Sequence, residues 1–171
     1  MALIKSCKGV SPVIPKSCWL ADNATVIGDV KLGENCSIWF STVVRGDVNS
    51  IEIGNQVNIQ DGVVIHCTFE KTKTIIGNNV SVGHNAIIHG CIIHDDVLVG
   101  MGAIVMDNAE VHSNVIIAAG SVVTQNTILE PNAIYAGIPA KKIKSLNTKN
   151  ENIQLTAENY LKYAEWFKNE L

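Results

Sequence analysis

Aromatic residues are scarce in this chain: three Trp, three Tyr and three Phe make up 5% of 171 residues. Val and Ile abound instead, which predicts an interior built as a stack of β-branched rungs, not one filled by large rings. Concentrated positive charge is missing too. Lys and Arg number 13 against 16 Asp and Glu, the formal net charge is −3, and the densest basic run is Lys141-Lys142-Ile143-Lys144. Phosphate backbones demand a denser basic surface than this, so nucleic acid is not an expected partner. There is no run of 18 apolar residues, and the start, Met1-Ala2-Leu3-Ile4-Lys5, carries no apolar signal region. No membrane association is expected. The five cysteines (Cys7, Cys18, Cys36, Cys67, Cys91) are odd in number and include no C-x-x-C pair. That composition predicts reduced thiols in a cytoplasmic protein, not a disulfide framework.

What the chain does contain is a repeat. Aliphatic residues recur at Val26, Leu32, Ile38, Val44, then Ile53, Ile59, Ile65, then Ile76, Val82, Ile88, then Ile93, Val99, Val105, Val111, Ile117 and Val123, mostly six apart. Hexads of this kind wind three to a coil into a triangular parallel β-helix with an 18-residue turn. Corner asparagines (Asn35, Asn55, Asn78, Asn79, Asn114) suit tight left-handed bends. The expected fold is an all-β solenoid. Residues 1–20 form a lead-in kept extended by Pro12 and Pro15, residues 21–145 the β-helix, and residues 153–171 a C-terminal α-helix packed on it. Thr156 is the expected helix cap, with Leu155 and Tyr160 as a hydrophobic staple. The apolar face is Ala157, Tyr160, Leu161, Ala164 and Phe167. Periodicity does not fix the hand of the coil.

The repeat arithmetic singles out three histidines. His66 and His89 lie 23 apart, but the chain slips by five residues between Ile65 and Ile76, leaving 18, one whole coil. They should therefore stack about 4.8 Å apart on adjacent rungs, within reach of one ion at about 2.0–2.1 Å per imidazole. His84, five residues before His89, falls near the preceding corner, where its natural use is to complete the site of a neighbouring subunit. Three histidines with an open fourth position are a catalytic zinc arrangement, although Fe²⁺ or Co²⁺ would also accept imidazoles. Arg45 falls one coil below His66 once a three-residue slip between Val44 and Ile53 is counted. Gln60 could orient water or hold an oxyanion through its amide. Arg45 could pair with Asp61 or Asp47 across a subunit boundary. His94 and His112 read as ordinary surface or satisfied core residues.

The motifs Arg45-Gly46-Asp47, Asn58-Ile59-Gln60-Asp61, His66 and His84-Asn85-Ala86-Ile87-Ile88-His89-Gly90-Cys91 together resemble the γ-class carbonic anhydrase family over about residues 10–145. The resemblance implies a left-handed β-helix and a homotrimer with interfacial zinc. It implies His66 and His89 from one subunit and His84 from the next, and reversible hydration of CO₂ to bicarbonate by a metal-bound hydroxide. It also implies that Gln60 bonds bicarbonate or water, that Arg45 and Asp61 organise the interface, and that Tyr135 lies near the pocket. The chain departs from active members at two places. Val48 stands where they carry a glutamate, and the loop Cys67-Thr68-Phe69-Glu70-Lys71-Thr72 is short, with Glu70 the only candidate proton shuttle. Weak activity is the expectation, since the hydroxide is regenerated only by exporting a proton. The rival readings are an acyl-CoA-dependent acetyltransferase, which shares the fold, and a non-catalytic metal-binding trimer.

Overall fold

In the computed structural model, which describes residues 1–168, the hexads wind into a three-sided parallel solenoid. The first face stacks Trp19–Leu20, Ser37–Ile38, Asn58–Ile59, Ser81–Val82, Val97–Val99, Val115–Ile117 and Ala133–Ala136, and the antiparallel strand Lys141–Ser145 closes its C-terminal end. On the second face, Val26, Val44, Ile65, Ile88, Val105 and Val123 sit one above another in register. On the third, the column is Leu32, Ile53, Ile76, Ile93, Val111 and Leu129. All sixteen residues of the sequence periodicity point inward and none is more than 4% exposed. Each such burial contributes about 1.5–3 kcal/mol, and truncating one to Ala costs about 2–5 kcal/mol because rigid neighbouring rungs cannot collapse into the hole.

Asn35, Asn79 and Asn114 adopt the positive φ expected of corner residues, as do Asn85, Asn108, Asn126 and Asn132. Asn55 and Asn78 do something different. Their side-chain oxygens accept the backbone N–H of Glu34 and Asn55 respectively, each 2.8 Å away on the coil before, and Asp95 accepts that of Asn78 at 2.6 Å. Side-chain acceptors thus satisfy corner donors that the strand ladder leaves over.

The departures from a strict 18-residue turn gather at one corner, between the second and third faces. Val44 to Ile53 carries three extra residues, Ile65 to Ile76 five, and Ile88 to Ile93 one too few. The strand Val43–Ile53 rounds this corner unbroken and joins the two faces into one sheet.

The helix runs over Glu151–Lys168 and lies on the first face. Its cap is not Thr156. Asn150 performs that role, its Oδ1 accepting the Asn152 N–H at 3.0 Å, while the Thr156 hydroxyl donates to the Asn152 carbonyl inside the helix. Leu155 is half exposed and lies inside the helix, not at the position before the cap that a staple requires. Earlier competition from Asn150 explains the shift, since Asn outranks Thr as a cap. The Asn150 N–H also bonds Asn114 Oδ1 at 2.9 Å, tying the helix start to the upper coils. At its other end Phe167 stacks on Trp19 with ring centroids 5.2 Å apart, so the helix returns down the wall towards the first coil. Residues 169–171 of the expected helix lie outside the described residues.

Candidate metal centre

His66 and His89 are paired in register on adjacent rungs at the irregular corner. His89 Nδ1–H donates to Asp107 Oδ1 at 3.0 Å, and His66 Nε2–H donates to Asp47 Oδ1 at 3.0 Å. Ionised carboxylates only accept, so each neutral ring keeps its proton on the nitrogen facing the aspartate and presents a lone pair from the other. Those two remaining nitrogens, His66 Nδ1 and His89 Nε2, face each other at 3.3 Å. Two lone pairs so placed repel unless a proton or a cation lies between them. A separation of about 3.3 Å is also what two imidazole nitrogens take on a tetrahedral ion with bonds of about 2.0–2.1 Å. The donor set fits a borderline divalent metal.

The chain geometry behind this pair is specific. Gly46 lets Arg45 and Asp47 approach the first coil, because a Cβ there would stand 2.4 Å from the Asp29 carbonyl oxygen. Arg45 Nη1 meets Asp47 Oδ2 at 2.5 Å, so Arg45 orients the carboxylate that orients His66. Gly90, at φ +57°, supplies the shortened corner after His89; a Cβ would fall 2.1 Å from Asp107 Oδ1 and 2.2 Å from Thr72 Oγ1. Asp107 also accepts from Thr72 Oγ1 at 2.9 Å and Thr68 Oγ1 at 3.1 Å, which pins the short loop over the site. Burial pushes the Asp107 carboxyl up, but the Thr72 hydroxyl, His89 and Thr68 outweigh it, and the group rests below the usual carboxylate range. Asp47 behaves alike, with burial opposed and overcome by His66 and Arg45.

His84 is elsewhere. It occupies the corner between the first and second faces, and among the described residues no group of metal-competent side chains joins it to His66 and His89. It is nonetheless prepared in the same way. Nδ1 lies 2.8 Å from Asp61 Oδ2, and the Tyr160 hydroxyl meets Nε2 at 3.4 Å. Gln60 precedes Asp61 at this corner and is 5% exposed; its Nε2 donates to Asn58 Oδ1 at 3.0 Å and its remaining donor and acceptor stay uncommitted. Burial, then the charge of Asp61, pushes the Tyr160 hydroxyl up to about 12.

The chain thus carries two half-sites on opposite edges of its second face. Arg45, Asp47, His66, His89 and Asp107 form one; Gln60, Asp61, His84 and Tyr160 form the other. Tyr135 joins neither. It fills the inward column above Ile117, three coils above the His84 corner, and its hydroxyl donates to the Glu130 carbonyl at 3.2 Å. A residue facing the interior at that height is correctly read as core. Glu70 sits exposed in the short loop at φ +52°. His94 and His112 are not isolated surface residues, since both converge on Glu110.

A family model described as bacterial transferase hexapeptide (six repeats) matches residues 11–46 and 90–125. The chain is 42% identical over 161 residues to gamma carbonic anhydrase 2, mitochondrial, of Arabidopsis thaliana, covering 91% of this chain but only 58% of that protein. It is 38% identical over 162 residues to a carbonic anhydrase of Geobacillus kaustophilus, covering 94% of this chain and 88% of the relative. The chain belongs to the γ-carbonic anhydrase-like family of hexapeptide-repeat proteins. A crystal structure from Bacillus cereus, provisionally described as an acetyltransferase, superposes with a TM-score of 0.95 at 38% identity over 99% of both chains.

Two residues of this γ-carbonic anhydrase-like chain escaped the sequence reading. The coil after His89 is one residue short, so the corrected arithmetic sets Met106 opposite His89, and Asp107, one position further on, is missed. Tyr160 left no trace, because only the path of the helix brings it back to His84.

Proposed function

We propose that three copies of this chain close around their second faces and that each seam holds one divalent ion, Zn²⁺ first among candidates, for the reversible hydration of CO₂. The observation that carries this reading is shared by all three histidines. An aspartate holds one nitrogen of each (Asp47 for His66, Asp107 for His89, Asp61 for His84) and turns the other away from itself, towards the neighbouring imidazole for His66 and His89 and towards the Tyr160 hydroxyl for His84. Carboxylate–histidine pairs of this kind fix tautomer and ring direction for a metal. Two further observations support assembly. The half-sites flank one face, and from the second coil upward the outward column of that face is apolar: Val43, Val64, Ile87, Ile104 and Val122, above Thr25. Rotation about a three-fold axis brings one edge of each face against the opposite edge of the next, and closes.

A bound divalent ion would lower the pKa of its water towards about 7 and supply the nucleophile for CO₂ at neutral pH. The chain's own residues do the rest. Asp47, Asp61 and Asp107 hold the three rings, and Arg45 steadies Asp47. Gln60, fixed by Asn58, presents its free amide groups to the substrate oxygens. Tyr160, kept protonated by its surroundings, donates a hydrogen bond into the same space. Proton export falls to Glu70 or to external buffer.

The Bacillus cereus relative keeps an acyltransferase reading in play as the rival. Light scattering, zinc content and CO₂ hydration on one preparation separate the two. The proposal expects a trimer with one ion at each seam and a hydration rate that His84→Ala abolishes. A zinc-free preparation that turns over acetyl-CoA and not CO₂ would replace it.

A further inference from the structure

The third face carries a second constellation of metal donors, independent of the half-sites. His94 and His112 follow the inward residues Ile93 and Val111, which are paired in register, so the two imidazoles project outward from adjacent coils. Their backbones are fixed, with the His94 N–H on the Val111 carbonyl at 2.9 Å and the His112 N–H on the Leu129 carbonyl at 3.0 Å. The rings lie parallel, 1° apart in orientation, with centroids 4.9 Å apart. Glu110 leaves the same strand two residues before His112, on the same side, and its Oε1 lies 2.8 Å from His94 Nε2 and 3.8 Å from His112 Nε2. All three ligand atoms fall within 4.8 Å of one another.

As a set of ion pairs this arrangement is poorly matched. One carboxylate oxygen serves two imidazoles, and two protonated rings stacked face to face would repel. As a set of ligands it is well matched. Three donor atoms at these separations can be met by one ion at about 2.0–2.2 Å after sub-ångström adjustment of exposed side chains. By register, Glu130 stands one coil above His112 and adds negative charge beside the group.

We propose that His94, Glu110 and His112 form a second, external site for a borderline divalent transition metal, Zn²⁺, Ni²⁺ or Cu²⁺, with water completing the coordination. Two imidazoles and one carboxylate select these ions over Mg²⁺ and Ca²⁺, which prefer all-oxygen shells. The site does not rest on the carbonic anhydrase reading, because none of its ligands belongs to either half-site.

Equilibrium dialysis of the full-length protein against Zn²⁺ tests it. The wild type should bind two ions per chain, the external one in the micromolar range. His112→Ala should remove one ion and leave CO₂ hydration unchanged, and Glu110→Gln should weaken the same ion at least tenfold. His84→Ala should retain the external ion, so that loss of the seam site and loss of the external site are read separately. One ion per chain in both wild type and His112→Ala, or external binding seen only at millimolar Zn²⁺, would overturn the proposal. So would undiminished occupancy in a His94→Ala, His112→Ala double variant.

Discussion

His66 Nδ1 and His89 Nε2 face each other at 3.3 Å. Each is turned to that position by an aspartate on its far side. Removing either imidazole should therefore strip the metal, since a lone imidazole plus His84 holds an ion far less tightly than three. In a His112→Ala background, which lacks the external site, His66→Ala and His89→Ala should purify with less than a tenth of the zinc of His112→Ala alone by elemental analysis. Full occupancy in either variant would reassign the ligands.

Asp107→Ala should leave the fold intact and weaken metal binding about 10–100-fold, the usual effect of losing the acceptor behind a ligating histidine. Chelator competition measures it. Because Thr68 and Thr72 also lean on Asp107, the short loop should become more susceptible to protease in the same variant. Unchanged affinity would mean that Asp107 serves the loop alone.

Proton export should limit turnover. Val48 offers no carboxylate beside Asp47, and the loop offers only Glu70. The hydration rate should then climb with imidazole concentration, and Val48→Glu should raise it several-fold at low buffer while changing little at high buffer. Gln60→Ala should lower the rate at every buffer level, because it acts on the bound oxygens. A Val48→Glu effect independent of buffer would place the residue outside the proton path.

The repeat was fully legible in the sequence because one inward β-branched residue per hexad is a strong periodic signal; Val26, Ile65 and Val123 are all buried as that signal demands. The stacking of His66 on His89 was legible for the same reason, once the loop was subtracted. Corner chemistry was less so. Asn55 and Asn78 are corner residues by spacing, yet they act as acceptors and not as left-handed bends. Position alone does not distinguish these two uses of the same side chain. The approach of Tyr160 to His84 was hidden for a related reason. Which tyrosine reaches His84 depends on the direction in which the helix returns, and that is set by Asn150 and Asn114 and by aromatic packing on Trp19 and Trp39. The trio His94, Glu110 and His112 was within reach of the coil arithmetic, since its two histidines are 18 apart.

Asp47 and Asp107 both have carboxyls held below the ordinary value of about 3.9. A carboxyl lowered by folding contributes stability above its unfolded pKa and loses it as pH falls through the folded value. Chelator-treated protein should therefore lose stability to urea between about pH 5 and pH 3, below the histidine range. Asp107→Asn should be less stable at pH 6 and should show a shallower decline over that window. Parallel acid profiles for the two proteins would show that Asp107 gains nothing from its partners on folding.

On the proposed reading, each metal is shared between neighbouring chains. Co-refolding equal amounts of His66→Ala and His84→Ala subunits tests it most directly, with zinc counted on the purified trimers. Neither variant alone can build a seam site, and the external ion is the same in all of them. In a mixed trimer, one seam joins an intact His66 and His89 to an intact His84 from the next chain, so random assembly should recover about a quarter of the wild-type sites. Recovery of that fraction is the predicted result. Mixed trimers, demonstrated by differential tags, that hold no more zinc than either pure variant would show that the seam does not build the site.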